Sequence, residues 1–276
     1  MRRKLYLVNE IGSTFYFDYG HACVIEELDG FGFEFEINYE EFDSRFVETK
    51  RKIPQRTLDL TLCFLDGYGG FTRWREYLTK SNEIRLFYET NVGKKYCYIN
   101  VKSSSKTQLE QGVLKTKVKI DCLSLWLVNK STHIDVHDSG GGKIYTYNYP
   151  YVYAISFNGK VTVTNDSPRS VPMLIRLCGN CYNPRVIIRQ NGVDIQTLRL
   201  IVDERDEPLI EISSDPINQY IKRIYSGEET DYYDKQDFSC DNFLFLPPGE
   251  SEVFFDPGVR EEATCELAFK EEYIAH

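Results

Sequence analysis

Strand periodicity runs through most of the chain and gives way to a helical period once, between Leu58 and Tyr88. Leu58, Leu60, Leu62 and Phe64 alternate with Asp59, Thr61 and Cys63, the period of two of a strand with one buried face. Asp66, Gly67, Gly69 and Gly70 then predict a turn in which Asp66 caps a helix near residues 69–80. Phe71, Trp74 and Leu78 fall at i, i+3 and i+7 on that helix and form one apolar stripe, while Arg73, Arg75 and Lys80 face water. Alternation returns with Ile84, Leu86 and Tyr88, so the aromatic stripe is expected to lie over the sheet that holds the flanking strands.

The same alternation predicts two strands within Leu5–Asp18, broken at Asn9 and Gly12, and a hairpin of Arg85–Glu89 with Tyr96–Val101 around TNVGKK. A strand with one wet face follows, where Thr116, Val118, Ile120 and Cys122 alternate with Lys115, Lys117, Lys119 and Asp121. Between the Gly-punctuated LDGFGFEF and the first core strand, Ile37–Arg56 breaks the pattern: Glu40, Glu41 and Asp43 precede Lys50, Arg51 and Lys52. That segment reads as an exposed arm. His133–Lys143 is glycine-rich and almost without apolar residues, and the Tyr-rich IYTYNYPYVYAISF follows it. A boundary is expected here, with one domain over 1–135 and another over 136–276. Short strands resume beyond it at Lys160–Thr164, Val171–Leu177, Arg185–Arg189, Val193–Ile201, Leu209–Ile212, Asn242–Leu246, Val253–Phe255 and Thr264–Phe269. Their spacing predicts a β-sandwich.

Composition sharpens this picture. Of 276 residues 14% are aromatic, with 20 Tyr and 17 Phe, a bias towards strands. The formal charge of −9 disfavours an extended phosphate-neutralising surface, so no sequence-specific nucleic acid is expected as a partner. The apolar run after the basic MRRK stops at Val8, and no later run reaches membrane-spanning length, so no membrane partner is expected either. Eight cysteines are too dilute for a disulfide scaffold and sit mostly in strand patterns, as reduced buried thiols would.

Candidate chemistry is sparse. Cys178-Gly-Asn-Cys181 has the spacing of half a zinc site or a redox pair, but no second pair completes a tetrahedron, and the motif reads as a turn with two packed thiols. His133 and His137 with Asp138 have helical metal-ligand spacing in a segment that is not helical. Carboxylates abound without a pattern that desolvates one beside another, and no nucleophile elbow, phosphate loop or dinucleotide fingerprint appears. No catalytic residue, cofactor or metal is expected. Both tryptophans, Trp74 and Trp126, read as core, leaving Tyr147, Tyr149, Tyr151 and Tyr153 as the rings for a sugar site or an interdomain seam.

Taken in order, these pieces resemble the siphophage distal tail protein family. The likeness lies in LYLVNEIGSTFYF, FGFEF, YGGFTRWREYL before EIRLFYE, and the closing CLSLWLV. In the second half it lies in VTVTNDSPRSVPMLIRLCGNCYNPRVIIRQNG, FLFLPPGESEVFFDPG and CELAFKEEYI. The resemblance implies a mostly β protein: an N-terminal β-sandwich-like ring domain with one α-helix, and a C-terminal galectin-like β-sandwich. It implies a non-enzymatic virion protein made in the bacterial host cytoplasm and placed at the tail tip. There it would form a homo-hexameric ring between the major tail tube protein and a tail-associated fibre protein, docking receptor-binding or other baseplate proteins. A carbohydrate-binding adhesion module is the alternative. The charge pattern of the arm independently suggests a subunit contact through Glu40, Glu41, Asp43, Lys50, Arg51 and Lys52, against the plainer reading of a solvated hairpin.

Overall fold

The computed structural model describes residues 3–136, 159–259 and 262–275. The fold is mostly β with one α-helix among the described residues, and it divides into two compact units: Met1–Val128 with Tyr273–His276, and Asn129–Glu272. Residues 129–135 therefore group with the second unit, and the glycine run Ser139–Gly142 lies outside the described residues.

In the first unit the strands are β1 (Lys4–Asn9), β2 (Thr14–Tyr16), β3 (Cys23–Asp29), β4 (Glu36–Phe42), β5 (Arg45–Lys52), β6 (Thr57–Phe64), β7 (Ile84–Glu89), β8 (Lys94–Glu110) and β9 (Val113–Cys122), with helix α1 at Tyr68–Thr79. All but β4 and β5 pair antiparallel along the path β2-β1-β7-β8-β9-β6-β3. The 17-residue β8 makes the path possible. Its first half pairs β7 and its second half β9, and register shifts after Val101 and Lys106 bend it between them. Side chains from both halves then meet in one core, where Leu7, Leu58, Leu62, Phe64, Leu86, Ile120 and Trp126 are fully buried.

The helix closes this core as its stripe predicts. Trp74 is wholly buried, donates Nε1–H to Ser104 Oγ at 3.1 Å, and meets the Phe15 ring edge-on at 5.2 Å. Phe71 packs against Phe64 at 6.1 Å. The cap differs from expectation: Gly67 is the N-cap residue, without a side-chain bond, and Asp66 instead pairs with Arg73 at 2.7 Å. Gly67 adopts φ +64, so the turn rests on glycine backbone freedom rather than on a carboxylate cap. Gly70 is needed for another reason, since a Cβ there would lie 2.9 Å from Phe64 Cβ.

The second unit is a sandwich. Its larger sheet orders β19 (Glu228–Asp231), β18 (Tyr220–Tyr225), β17 (Leu209–Ser213), β12 (Val171–Cys178), β22 (Ala263–Tyr273) and β10 (Trp126–Val136), and β20 (Phe245–Leu246) also pairs β12. The other sheet orders β11 (Gly159–Asn165), β21 (Gly249–Asp256), β14 (Arg185–Gln190) and β15 (Val193–Arg199). Ile175, Ile212 and Leu267 from the first and Val186, Ile188 and Phe255 from the second share one apolar core. A two-stranded ladder of β13 (Cys181–Tyr182) and β16 (Asp203–Glu204) lies apart. At the same end Gly258, with φ +72, passes so close that a Cβ would sit 1.8 Å from the Tyr182 carbonyl oxygen.

Candidate assembly surfaces

The arm is a hairpin standing apart from the core. β4 and β5 pair only with each other, from Glu36 opposite Lys52 to Phe42 opposite Arg45, through a turn in which Asp43 and Ser44 both take positive φ. Nearly every side chain on it is exposed, including Phe42 at 77%, Phe46 at 73% and Tyr39 at 57%. Opposed residues share a face, so Tyr39 and Phe46 lie on one face and Phe42 and Val47 on the other. Both faces thus carry large apolar groups in water. A two-stranded hairpin alone is marginally stable, and apolar groups on both of its faces are what a docking element presents.

The charges on the arm are arranged differently from the sequence expectation. Arg51 donates two hydrogen bonds to Glu48, at 2.9 and 2.7 Å, and its guanidinium also lies 5.2 Å from the Phe35 ring. Lys52 pairs with Glu36 at 2.9 Å. Two of the three expected basic contacts are therefore held within the hairpin. Lys50 at the root and Glu40, Glu41 and Asp43 near the tip have no ion-pair partner among the described residues.

The other chemical candidates separate in space. Cys178 ends β12 and Cys181 opens β13; burial raises both thiols, Cys181 to about 12, and so disfavours the thiolate that a metal or redox reaction would use. His133 lies on β10 beside Asp135 at 3.3 Å, on a strand rather than a helix. His137, Asp138 and the four tyrosines Tyr147, Tyr149, Tyr151 and Tyr153 lie outside the described residues. Among the described residues no three His, Cys, Asp or Glu side chains are placed to hold a metal ion, and no helix is long and apolar enough to cross a membrane.

Sequence reading missed a pair of thiols and a buried carboxylate. A hydrogen bond between Cys97 and Cys122, with Arg56 beside the latter, holds the Cys122 pKa low and pushes that of Cys97 up. Glu211 sits on β17 with its side chain 9% exposed. Burial would raise its pKa, but a hydrogen bond from Tyr220 at 2.6 Å and another from Arg176 at 2.7 Å outweigh that and lower it. Only pairing across β12, β17 and β18 brings these three together.

Comparison with known proteins decides what this architecture is. Residues 4–123 match the family model for the distal tail protein N-terminal domain. Over those residues the chain carries a domain of the distal tail protein family. Two solved structures are similar over nearly the whole length. One is a chain of the phage p2 baseplate in its activated conformation, with 13% identity, a TM-score of 0.67 and complete coverage of both chains. The other is the SPP1 Dit protein, described as a paradigm of the hub adsorption apparatus in Gram-positive infecting phages. It is 11% identical, with a TM-score of 0.65 and coverage of 98% of this chain and 99% of that one. No curated protein matches the chain. At such identities the likeness shows a shared fold, and the sandwich that follows the distal tail domain is part of it.

Proposed function

We propose that this distal tail protein is a non-enzymatic structural component of a siphophage tail tip, six copies of which close a ring. The ring would join the major tail tube protein to the baseplate or a tail-associated fibre protein, and the second unit, read as galectin-like, would dock receptor-binding or other baseplate proteins. Synthesis and assembly in the bacterial cytoplasm belong to the same reading. The observation that carries it is the arm: a self-paired hairpin with apolar side chains on both faces, projecting from a unit of the distal tail family. Glu40, Glu41, Asp43, Lys50, Arg51 and Lys52 all lie on this element, and their role is to bind the next subunit.

Because Arg51 and Lys52 brace the hairpin through Glu48 and Glu36, reversing their charges would damage the arm itself. Excising it is the cleaner test. Native mass spectrometry and electron microscopy of the full chain should show rings for the parent and monomers for an arm-less variant. Rings from the arm-less variant would refute the subunit-contact reading; a parent that never forms rings would refute the ring.

The adhesion alternative has one observation in its favour. Tyr233 and Phe238 are 47% and 61% exposed in the second unit, with ring centroids 6.3 Å apart, while both tryptophans are buried. Saturable binding of the chain to host wall polysaccharide, lost in Tyr233→Ala with Phe238→Ala, would support it.

A further inference from the structure

On the first unit the face of β2-β1-β7-β8 turned away from the core is not an ordinary solvated surface. Tyr6 is opposite Tyr16 on one side and Phe87 on the other, and Phe87 is opposite Tyr96. The rings form a ladder across four strands: Tyr16 to Tyr6 at 5.6 Å, Tyr6 to Phe87 stacked at 5.2 Å, and Phe87 to Tyr96 at 5.2 Å. His21 stacks on Tyr16 at 4.6 Å and extends the row. Tyr16 is 41% exposed, and Tyr6 and Phe87 are half-buried, so this part of the ladder opens to solvent.

A cation rests on the ladder. Lys94 Nζ lies 4.6 Å from the Phe87 centroid and 5.5 Å from that of Tyr6, and it pairs with no carboxylate among the described residues. The neighbouring Lys4 shares Glu89 at 3.4 Å, and Arg85 lies 3.8 Å from Glu83. Glu89 lies opposite both Lys4 and Lys94 and its ion pair goes to Lys4, so the row carries one positive charge in excess, at Lys94.

We infer that this aromatic face receives the arm tip of a second copy of the chain. The inference rests on the subunit-contact reading of the arm and names the surface it meets. Charge and chemistry select the occupant. The tip offers Glu40, Glu41 and Asp43 without ion-pair partners among the described residues, between the exposed rings of Tyr39, Phe42 and Phe46. The face offers one positive charge in excess, two lysines about the single carboxylate of Glu89, over rings that present both edges and faces for packing. Seven residues of β4 span about 23 Å, enough to carry the tip well clear of its own unit. Arm and face are different patches of the same chain, so their contact is head-to-tail and each copy keeps one of each available for the next.

The test uses the full chain and two readouts. With a photoreactive phenylalanine analogue in place of Phe42, irradiation of assembled protein should join it to a peptide containing Tyr6 or Phe87 of another copy. In sedimentation, Lys94→Glu should weaken assembly by about tenfold or more, as should Glu41→Lys, and the two together should recover most of the loss. Circular dichroism should show each variant folded, because Lys94 and Glu41 are both exposed. The inference is overturned if Lys94→Glu assembles like the parent or if the adducts fall elsewhere. If arm excision blocks rings while Lys94→Glu does not, the arm is the contact and only its receiving surface is wrong. If arm excision leaves rings intact, the underlying reading fails as well.

Discussion

Excising the arm tests whether it belongs to the fold or only to the assembly, and the structure sets the expected size of the effect. Glu36 and Lys52 are directly opposed at the root, so an Asn-Gly turn can replace residues 36–52 without moving Phe35 or Ile53. No residue of β4 or β5 is in the buried core, so no apolar burial within the unit is lost. The connection from Asp29 to Thr57 shortens from about 27 residues to about 12, and the lower closure entropy favours the folded state by about 0.7 kcal/mol. Urea unfolding at constant pH should therefore place the arm-less chain within about 1 kcal/mol of the parent, with any shift towards greater stability. Ring formation should be lost in the same samples. A loss of more than about 3 kcal/mol would show that the hairpin supports its own unit, and would refute the argument from exposure.

Trp74→Ala should cost about 3–5 kcal/mol in urea unfolding, because the indole is fully buried and its N–H bonds Ser104; a cost under 1 kcal/mol would mean that the helix does not close the core. Glu211 is held below its ordinary value of 4.5, so its stabilisation is complete above that value and disappears as pH falls beneath it. Thermal melts of the parent should lose stability below about pH 5 more steeply than those of Glu211→Gln, and identical slopes would contradict this. Cys178→Ser with Cys181→Ser should leave metal content unchanged and destabilise modestly, by about 1–2 kcal/mol; stoichiometric zinc lost in that variant would show a ligand role. Limited proteolysis should cut first at the composition break Ser139–Gly142 and leave two fragments of about half the chain each, whereas a first cut inside Leu58–Tyr88 would deny the proposed domain independence.

The local periods determined a large share of the fold by themselves. Alternation at Leu58–Phe64 and Ile84–Tyr88 marks strands β6 and β7, and the spacing of Phe71, Trp74 and Leu78 marks the helix between them, because a period of 2 or 3.6 is a property of neighbouring residues. The exposed character of the arm and the burial of both tryptophans were legible for the same reason. Several strands were not. Cys23–Asp29 and Tyr220–Asp231 carry charges on both faces and lack clean alternation. Side-chain partnerships were beyond reach altogether. Asp66 turned from the helix cap to Arg73, Arg51 and Lys52 were taken up by Glu48 and Glu36, and Glu211 found Arg176 and Tyr220 on neighbouring strands. The aromatic ladder is the clearest case. Tyr6, Tyr16, Phe87 and Tyr96 come from four strands spread over ninety positions, and nothing local to any of them specifies the others. Burial preference is written in each residue and its near neighbours, while the identity of a contact depends on strand order and register, which exist only once the chain has folded.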